Sequence, residues 1–201
     1  MTDLGEMKYF LGLEIEQTDN GVLIHQKKYP KEIIKKFNME DCKEISALME
    51  TQLKLEQIKT SEEFDSTTYR SMIGSLIYLC ASRPNLACTV NMMSCYNANP
   101  SKQHAVYVKR ILRYVKYSLE LGIWFESRSN SELMTFSDVS YANSEKCRSK
   151  SSYYCSFGSG IFCWSSKNQT IMAQSYAEAK YIVVNLIAKQ AEWSKKILTD
   201  I

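Results

Sequence analysis

With 201 residues, 45% of them hydrophobic and 23% charged, the chain has apolar material for one substantial domain or two small ones, and no compositional case for disorder. A formal net charge of +3 and a pI near 8.4 are too mild to demonstrate a polyanionic partner, so the placement of the cations matters more than their sum. Seven cysteines, an odd number without metal-ligand spacing, argue against a disulfide framework and a zinc site and for reduced core thiols in a cytoplasmic or nuclear protein that is not secreted.

The opening Met1-Thr2-Asp3-Leu4-Gly5-Glu6 lacks the basic-then-apolar layout of a signal peptide. No apolar run reaches the ~18 residues a membrane span needs, so a soluble protein without a membrane partner is expected. So polar an opening, running directly into a strand, suggests a domain entered in its middle, as in a truncated product. Tyr9-Phe10-Leu11-Gly12-Leu13-Glu14-Ile15-Glu16 predicts a strand. Asp19-Asn20-Gly21 and then Val22-Leu23-Ile24-His25 predict the turn and return of a hairpin, because Asn-Gly supplies the positive φ angles of a tight turn. A basic amphipathic helix is predicted over 29–37, with Ile33, Ile34 and Phe37 on one side and Lys31, Lys35 and Lys36 elsewhere.

Poor periodicity and the charges around Thr60-Ser61-Glu62-Glu63 predict a surface linker over 44–66. Ser66 is placed to cap a helix through Tyr69, Met72, Ile73, Leu76, Ile77 and Leu79, which ends near Ser82-Arg83-Pro84 because proline disfavours helical geometry just before itself. A second helix is predicted over 85–96. Asn99-Pro100-Ser101 breaks it, and Ser101 caps a third to about residue 118. At about 100° per residue, Lys102, Lys109, Arg113 and Lys116 form one narrow stripe on that helix, a third of a turn from Val108, Ile111, Leu112, Val115 and Leu119.

After Gly122 the pattern becomes strands: Ile123-Trp124-Phe125, then Leu133-Met134-Thr135-Phe136-Ser137-Asp138, then 153–157 and 161–164 joined by the Gly158-Ser159-Gly160 turn. Ser175 opens a long helix containing Ala177, Tyr181, Val184, Ile187, Ala188, Ala191 and Leu198.

Few residues suggest chemistry. Asp138 ends an apolar strand, where a carboxylate at a sheet edge could bind a divalent metal; a strand-end aspartate that caps a turn is the simpler alternative. Two-metal phosphodiester cleavage needs several acidic groups converging on cations roughly 4 Å apart. Glu178, in the first turn of the last helix, could supply a second carboxylate, and it equally suits the helix dipole. The basic stripe is either a solvated face or a phosphate contact. The cysteines show no paired short spacing, and His25 and His104 lie far apart, so no nucleophilic triad is found.

Asp3-Leu4-Gly5-Glu6-Met7-Lys8-Tyr9-Phe10-Leu11-Gly12-Leu13-Glu14-Ile15 resembles the segment following the polymerase active site in copia-type LTR retrotransposon Pol polyproteins. Tyr69-Arg70-Ser71-Met72-Ile73-Gly74-Ser75-Leu76-Ile77-Tyr78-Leu79, Ser82-Arg83-Pro84-Asn85 and Lys109-Arg110-Ile111-Leu112-Arg113-Tyr114 are similar to the helical part that comes next. Phe136-Ser137-Asp138, Gly158-Ser159-Gly160, Trp164-Ser165-Ser166-Lys167 and Ala177-Glu178-Ala179-Lys180-Tyr181 resemble the ribonuclease H domain that closes these polyproteins. The resemblance covers nearly the whole chain.

It implies that Phe10, Leu11, Gly12, Leu13 and Glu14 form a primer-grip hairpin beside polymerase carboxylates. Those belong to a Tyr-x-Asp-Asp turn that this sequence lacks, as it lacks the fingers region. It implies Mg²⁺ at the ribonuclease H acids of the parent family, yet the family's Ser-Asp-x-Asp-Trp-Ala-Gly-Asp stands here as Ser137-Asp138-Val139-Ser140-Tyr141-Ala142-Asn143-Ser144. Lys180 occupies the position before Tyr181 that the resemblance implies for a metal ligand. A further family aspartate would lie beyond Ile201. Beside two Mg²⁺ ions a lysine ammonium repels, so no tightly bound metal is expected, with Asp138 the weak remaining ligand.

The expected fold class is α+β: a palm-derived β-hairpin and thumb-like helices followed by an incomplete ribonuclease H-like mixed sheet with one long helix. The expected organisation is palm end, hairpin and basic helix over 1–44, linker over 45–65, helical thumb or connection region over 66–120 and truncated ribonuclease H-like domain over 121–201. The expected function is a catalytically inactive Pol fragment with weak, sequence-independent binding of an RNA/DNA hybrid or duplex through Lys102, Lys109, Arg113 and Lys116. The rivals are a metal-dependent hybrid ribonuclease using Asp138 and Glu178, a domesticated protein-interaction module, and a pseudogene product without function.

Overall fold

The computed structural model describes residues 6–49, 62–128, 132–141 and 148–200. Most of the expected linker, Ala142-Asn143-Ser144 of the acidic comparison, and Cys147 lie outside them. The chain divides into two compact units, Met1–Gln17 with Leu23–Ile123, and Thr18–Val22 with Trp124–Ile201.

The expected first strand is two. β1 (Tyr9–Phe10) and β2 (Leu13–Thr18) pair antiparallel, Tyr9 with Glu14 and Phe10 with Leu13, around a Leu11-Gly12 turn. The Leu-Gly step breaks the alternation because both of its residues take positive φ, 48° and 82°. β3 (Gly21–His25) follows the expected Asp19-Asn20 turn, and the sheet has the order β1-β2-β3-β4, with β4 spanning Gly122–Glu126.

α1 (Lys28–Lys36) buries Pro30, Ile33 and Ile34. α2 (Ser66–Leu79) is capped by Asp65 rather than by the expected Ser66: the Asp65 carboxylate accepts from the backbone N–H of Thr67 and Thr68 at 3.2 and 2.8 Å. A carboxylate satisfies two of the four orphan donors of a first turn, and it suits the positive end of the helix better than a hydroxyl does. Tyr69, Met72, Ile73, Leu76 and Leu79 repeat at helical spacing and are buried, and the Tyr69 hydroxyl donates to Met93 O at 2.8 Å, so burial orphans no oxygen.

Pro84 opens α3 (Pro84–Ser94), where its missing N–H costs nothing. Ser101 caps α4 (Lys102–Tyr117) as expected, with an unforeseen partner: His104 stands where a capping box usually has Glu or Gln, and its Nδ1 accepts from Ser101 N at 3.0 Å. The expected apolar face, Val108, Ile111, Leu112 and Val115, joins α1 to α3 in one core. Each fully buried large side chain there contributes roughly 1.5–3 kcal/mol.

In the second unit β5 (Leu133–Ser140), β6 (Lys150–Phe157) and β7 (Gly160–Asn168) form a sheet of that order. Both pairings are antiparallel; a mixed sheet needs a parallel neighbour, and the described residues supply none. Gly160 is required by space, since a Cβ there would run into the Phe125 ring. α5 (Tyr176–Asp200) packs on β5 and β6, with Val139, Ala173, Ala179 and Val183 as its small core. Among the described residues no helix is long and apolar enough to cross a membrane.

Candidate functional site

Residues 10 to 14 form a hairpin end held from two sides. The Tyr78 hydroxyl donates to Leu11 O at 3.1 Å. Glu14 accepts from Lys28 N at 3.0 Å, supplying α1 with the cap that Lys27, its N-cap residue, does not provide. Phe10 and Leu11 are 51% and 77% exposed. The backbone is fixed while the apolar tip stays outside the core. Glu16, one alternation further, accepts from Lys27 at 3.0 Å and meets His25 Nε2 at 2.9 Å. Those hydrogen bonds, that of Lys27 first, hold the Glu16 carboxyl below its usual range.

The basic stripe exists on α4, and its members differ. Lys109 is exposed. Lys102 pairs with Glu62. Arg113 Nε donates to Lys43 O at 2.6 Å, and Lys116 Nζ donates to Glu40 O and Cys42 O at 2.7 and 2.9 Å. Arg113 and Lys116 therefore fasten the segment after α1 to α4. Helical periodicity shows that cations share an edge, but not which backbone carbonyls reach them.

A buried cation went unremarked in the sequence beyond its motif. Arg83, 1% exposed, donates to Ser118 Oγ at 3.2 Å and Leu119 O at 3.1 Å, tying the start of α3 to the end of α4. Burial pulls its pKa down. The proline beside it was legible as a helix break; the burial was not.

The two candidate acidic positions sit in different settings. Asp138 is exposed on β5, opposite Ser152 of β6, while its neighbour Val139 packs with Ala179 and Val183. Glu178 N donates to Ser175 Oγ at 3.1 Å, which caps α5, and Glu178 Oε2 accepts from Gln174 N at 2.7 Å, tying back the residue before the cap. Lys180 Nζ lies 4.8 Å from the Tyr176 ring centroid, a cation–π contact. Among the described residues no three His, Cys, Asp or Glu side chains gather to hold a metal ion. One exposed carboxylate does not fit the two Mg²⁺ ions of the parent family's chemistry.

Two pairs were missed in the sequence. Phe136 and Tyr154, opposed on β5 and β6, stack with centroids 4.8 Å apart and remain exposed on the sheet face of Asp138. Cys155 and Cys163 are likewise opposed, on β6 and β7. Neither pair is visible before strand register is known, and the extra residue at Phe162 shifts the register: the Gly158-Ser159-Gly160 turn with plain alternation would set Cys155 opposite Phe162.

No family model matches the chain, and no solved structure matches it. The uncharacterized mitochondrial protein AtMg00810 of Arabidopsis thaliana is 31% identical over 195 residues, 96% of this chain and 81% of that protein. The retrovirus-related Pol polyprotein from transposon RE1 of Arabidopsis thaliana is 30% identical over 200 residues, 99% of this chain and 14% of the polyprotein. That from transposon TNT 1-94 of Nicotiana tabacum is 30% identical over 211 residues, 100% of this chain and 16% of the polyprotein. The chain thus spans a small part of the length of the polyproteins it matches. Similar along nearly its whole length to these relatives, this chain belongs to the copia-type LTR retrotransposon Pol polyproteins.

Proposed function

We propose that this transposon-derived chain holds an RNA/DNA hybrid or duplex weakly, without sequence preference, and does not cleave it. In this reading the first unit is the palm-derived hairpin with thumb-like helices, and the second is ribonuclease H-like. The observation that carries it is the engagement of Glu178: its carboxylate holds Gln174 N at the entry to α5, and Lys180 stands in the same helix turn. Among the described residues that leaves Asp138 outside any group of three side chains able to hold a metal ion, whereas phosphate contact needs only positive charge at a suitable spacing. The exposed edge of α4 supplies such charge at Lys109, and the ammonium and guanidinium groups of Lys102, Arg113 and Lys116 carry further N–H donors beyond those already used.

Equilibrium binding to a labelled hybrid, measured as salt is raised, tests the reading. Each phosphate neutralised adds about 0.9 to the magnitude of the log-log salt slope on B-form duplex. Lys109→Ala is expected to lower that slope by roughly one contact while leaving the fold intact, because its side chain is exposed. Arg113 and Lys116 are poorer probes, since their loss also frees the carbonyls after α1. An unchanged affinity and slope in Lys109→Ala would make the stripe a solvated face.

A further inference from the structure

Cys155 and Cys163 stand directly opposite each other on β6 and β7. Opposed residues of antiparallel strands hold their Cα atoms about 4.5–5.5 Å apart, within the roughly 4.4–6.8 Å that a disulfide spans without backbone movement. The two thiols already meet, in a hydrogen bond that favours the proton on Cys155 and the thiolate on Cys163. Cys155 is buried, and Cys163 is half-buried and thus the more accessible. The register slips directly after the pair, where Ser156 faces Ile161 and leaves Phe162 as an extra residue. Such a bulge bends and twists its strand locally.

We propose that Cys155 and Cys163 are a modification site, a thiol pair that a small disulfide oxidant such as glutathione disulfide closes into a cross-strand bond locking the β6–β7 hairpin. The Cys163 thiolate attacks one sulfur of the oxidant, whose S–S bond breaks as one glutathione thiolate leaves and takes up a proton. Cys155 then gives its proton to solvent and attacks Cys163 Sγ, and the second glutathione thiolate leaves and is protonated. The protein loses two protons and two electrons, and the oxidant is reduced to two thiols. Burial pushes the Cys155 thiol up to about 11 and raises Cys163 as well, so closure is slow at neutral pH and quickens as pH rises.

The sequence supplies a clean readout. Lys150 and Lys167 bound a tryptic peptide, 151–167, whose only cysteines are these two. The full chain is treated with glutathione disulfide, free thiols are alkylated, and the peptide is weighed. The expected peptide carries no alkyl group, is lighter than the dithiol by two hydrogens, and becomes doubly alkylated after reduction. In Cys155→Ser the glutathione adduct on Cys163 persists, and in Cys163→Ser the native protein leaves Cys155 unmodified. The same treatment in urea closes the pair less completely, because the fold no longer aligns the strands. A doubly alkylated peptide from the native chain while Cys88 and Cys95 are oxidised would overturn the proposal. A stable adduct on Cys163 in the parent protein, or equal closure in urea, would do the same.

Discussion

Leu11 holds a φ of +48° in a two-residue turn whose other member, Gly12, lies at +82°. Such turns favour Asn-Gly because asparagine tolerates the left-handed region, and a leucine there is strained by about 1 kcal/mol. Its side chain is 77% exposed, so packing does not offset the strain. Leu11→Asn is expected to raise stability by up to about 1 kcal/mol in urea unfolding. Unchanged or lowered stability would mean that the leucine side chain contributes to the folded hairpin. The turn at residues 19 and 20 was legible from its polar Asp-Asn-Gly sequence, although Asn20 does not take the expected positive φ and Gly21, at +157°, already opens β3; the Leu-Gly turn was not legible because only its glycine suits positive φ. Buried Arg83 was hidden for a related reason: local sequence carries no sign of the Ser118 and Leu119 oxygens that receive it.

Helices were legible at their apolar faces and less so at their ends. α2 has Ser66 and Asp65 side by side, both good caps, and tertiary backbone geometry chooses between them. The hydrogen bonds that Thr68 and Thr67 give to Asp65 hold its carboxyl below its usual value of 3.8. A carboxyl whose folded pKa is depressed contributes stability above its unfolded pKa and loses it as pH falls through the folded one. Asp65→Ala is therefore expected to lower the melting temperature at neutral pH and to lower it less below the depressed folded value, where only a neutral acceptor is lost. Asp65→Asn, which keeps an acceptor oxygen, is expected to fall between. Melting curves from pH 7 downward check this, and an equal deficit in Asp65→Ala at every pH would contradict a role for the charge. The strands show the same division: alternation located β5 to β7, but only the register shows that Phe136 faces Tyr154 and Cys155 faces Cys163.

At the level of the whole molecule, the first unit buries large side chains from four helices, whereas the second rests on Val139, Val183 and two alanines. Tyr181, Val184 and Trp193 of α5 remain 78%, 52% and 58% exposed. Since local stability follows apolar burial, native-state hydrogen exchange is expected to protect α2 and α4 more strongly than α5, and equal protection would contradict that ranking. The family was legible because long ordered motifs survive along the sequence. The candidate acidic site was legible only as letters: Glu178 and Lys180 could be read as a damaged ligand set, but the hydrogen bond to Gln174 and the contact with Tyr176 depend on how the chain enters α5.

Incubating the purified chain, beside Asp138→Asn, with an end-labelled RNA/DNA hybrid in Mg²⁺ or Mn²⁺ tests most directly whether this chain holds nucleic acid without cutting it. The expected result is a complex at low salt, an RNA strand that stays full length, and no difference between the two proteins. Shortening of the RNA above background by the parent chain, lost in Asp138→Asn, would contradict it.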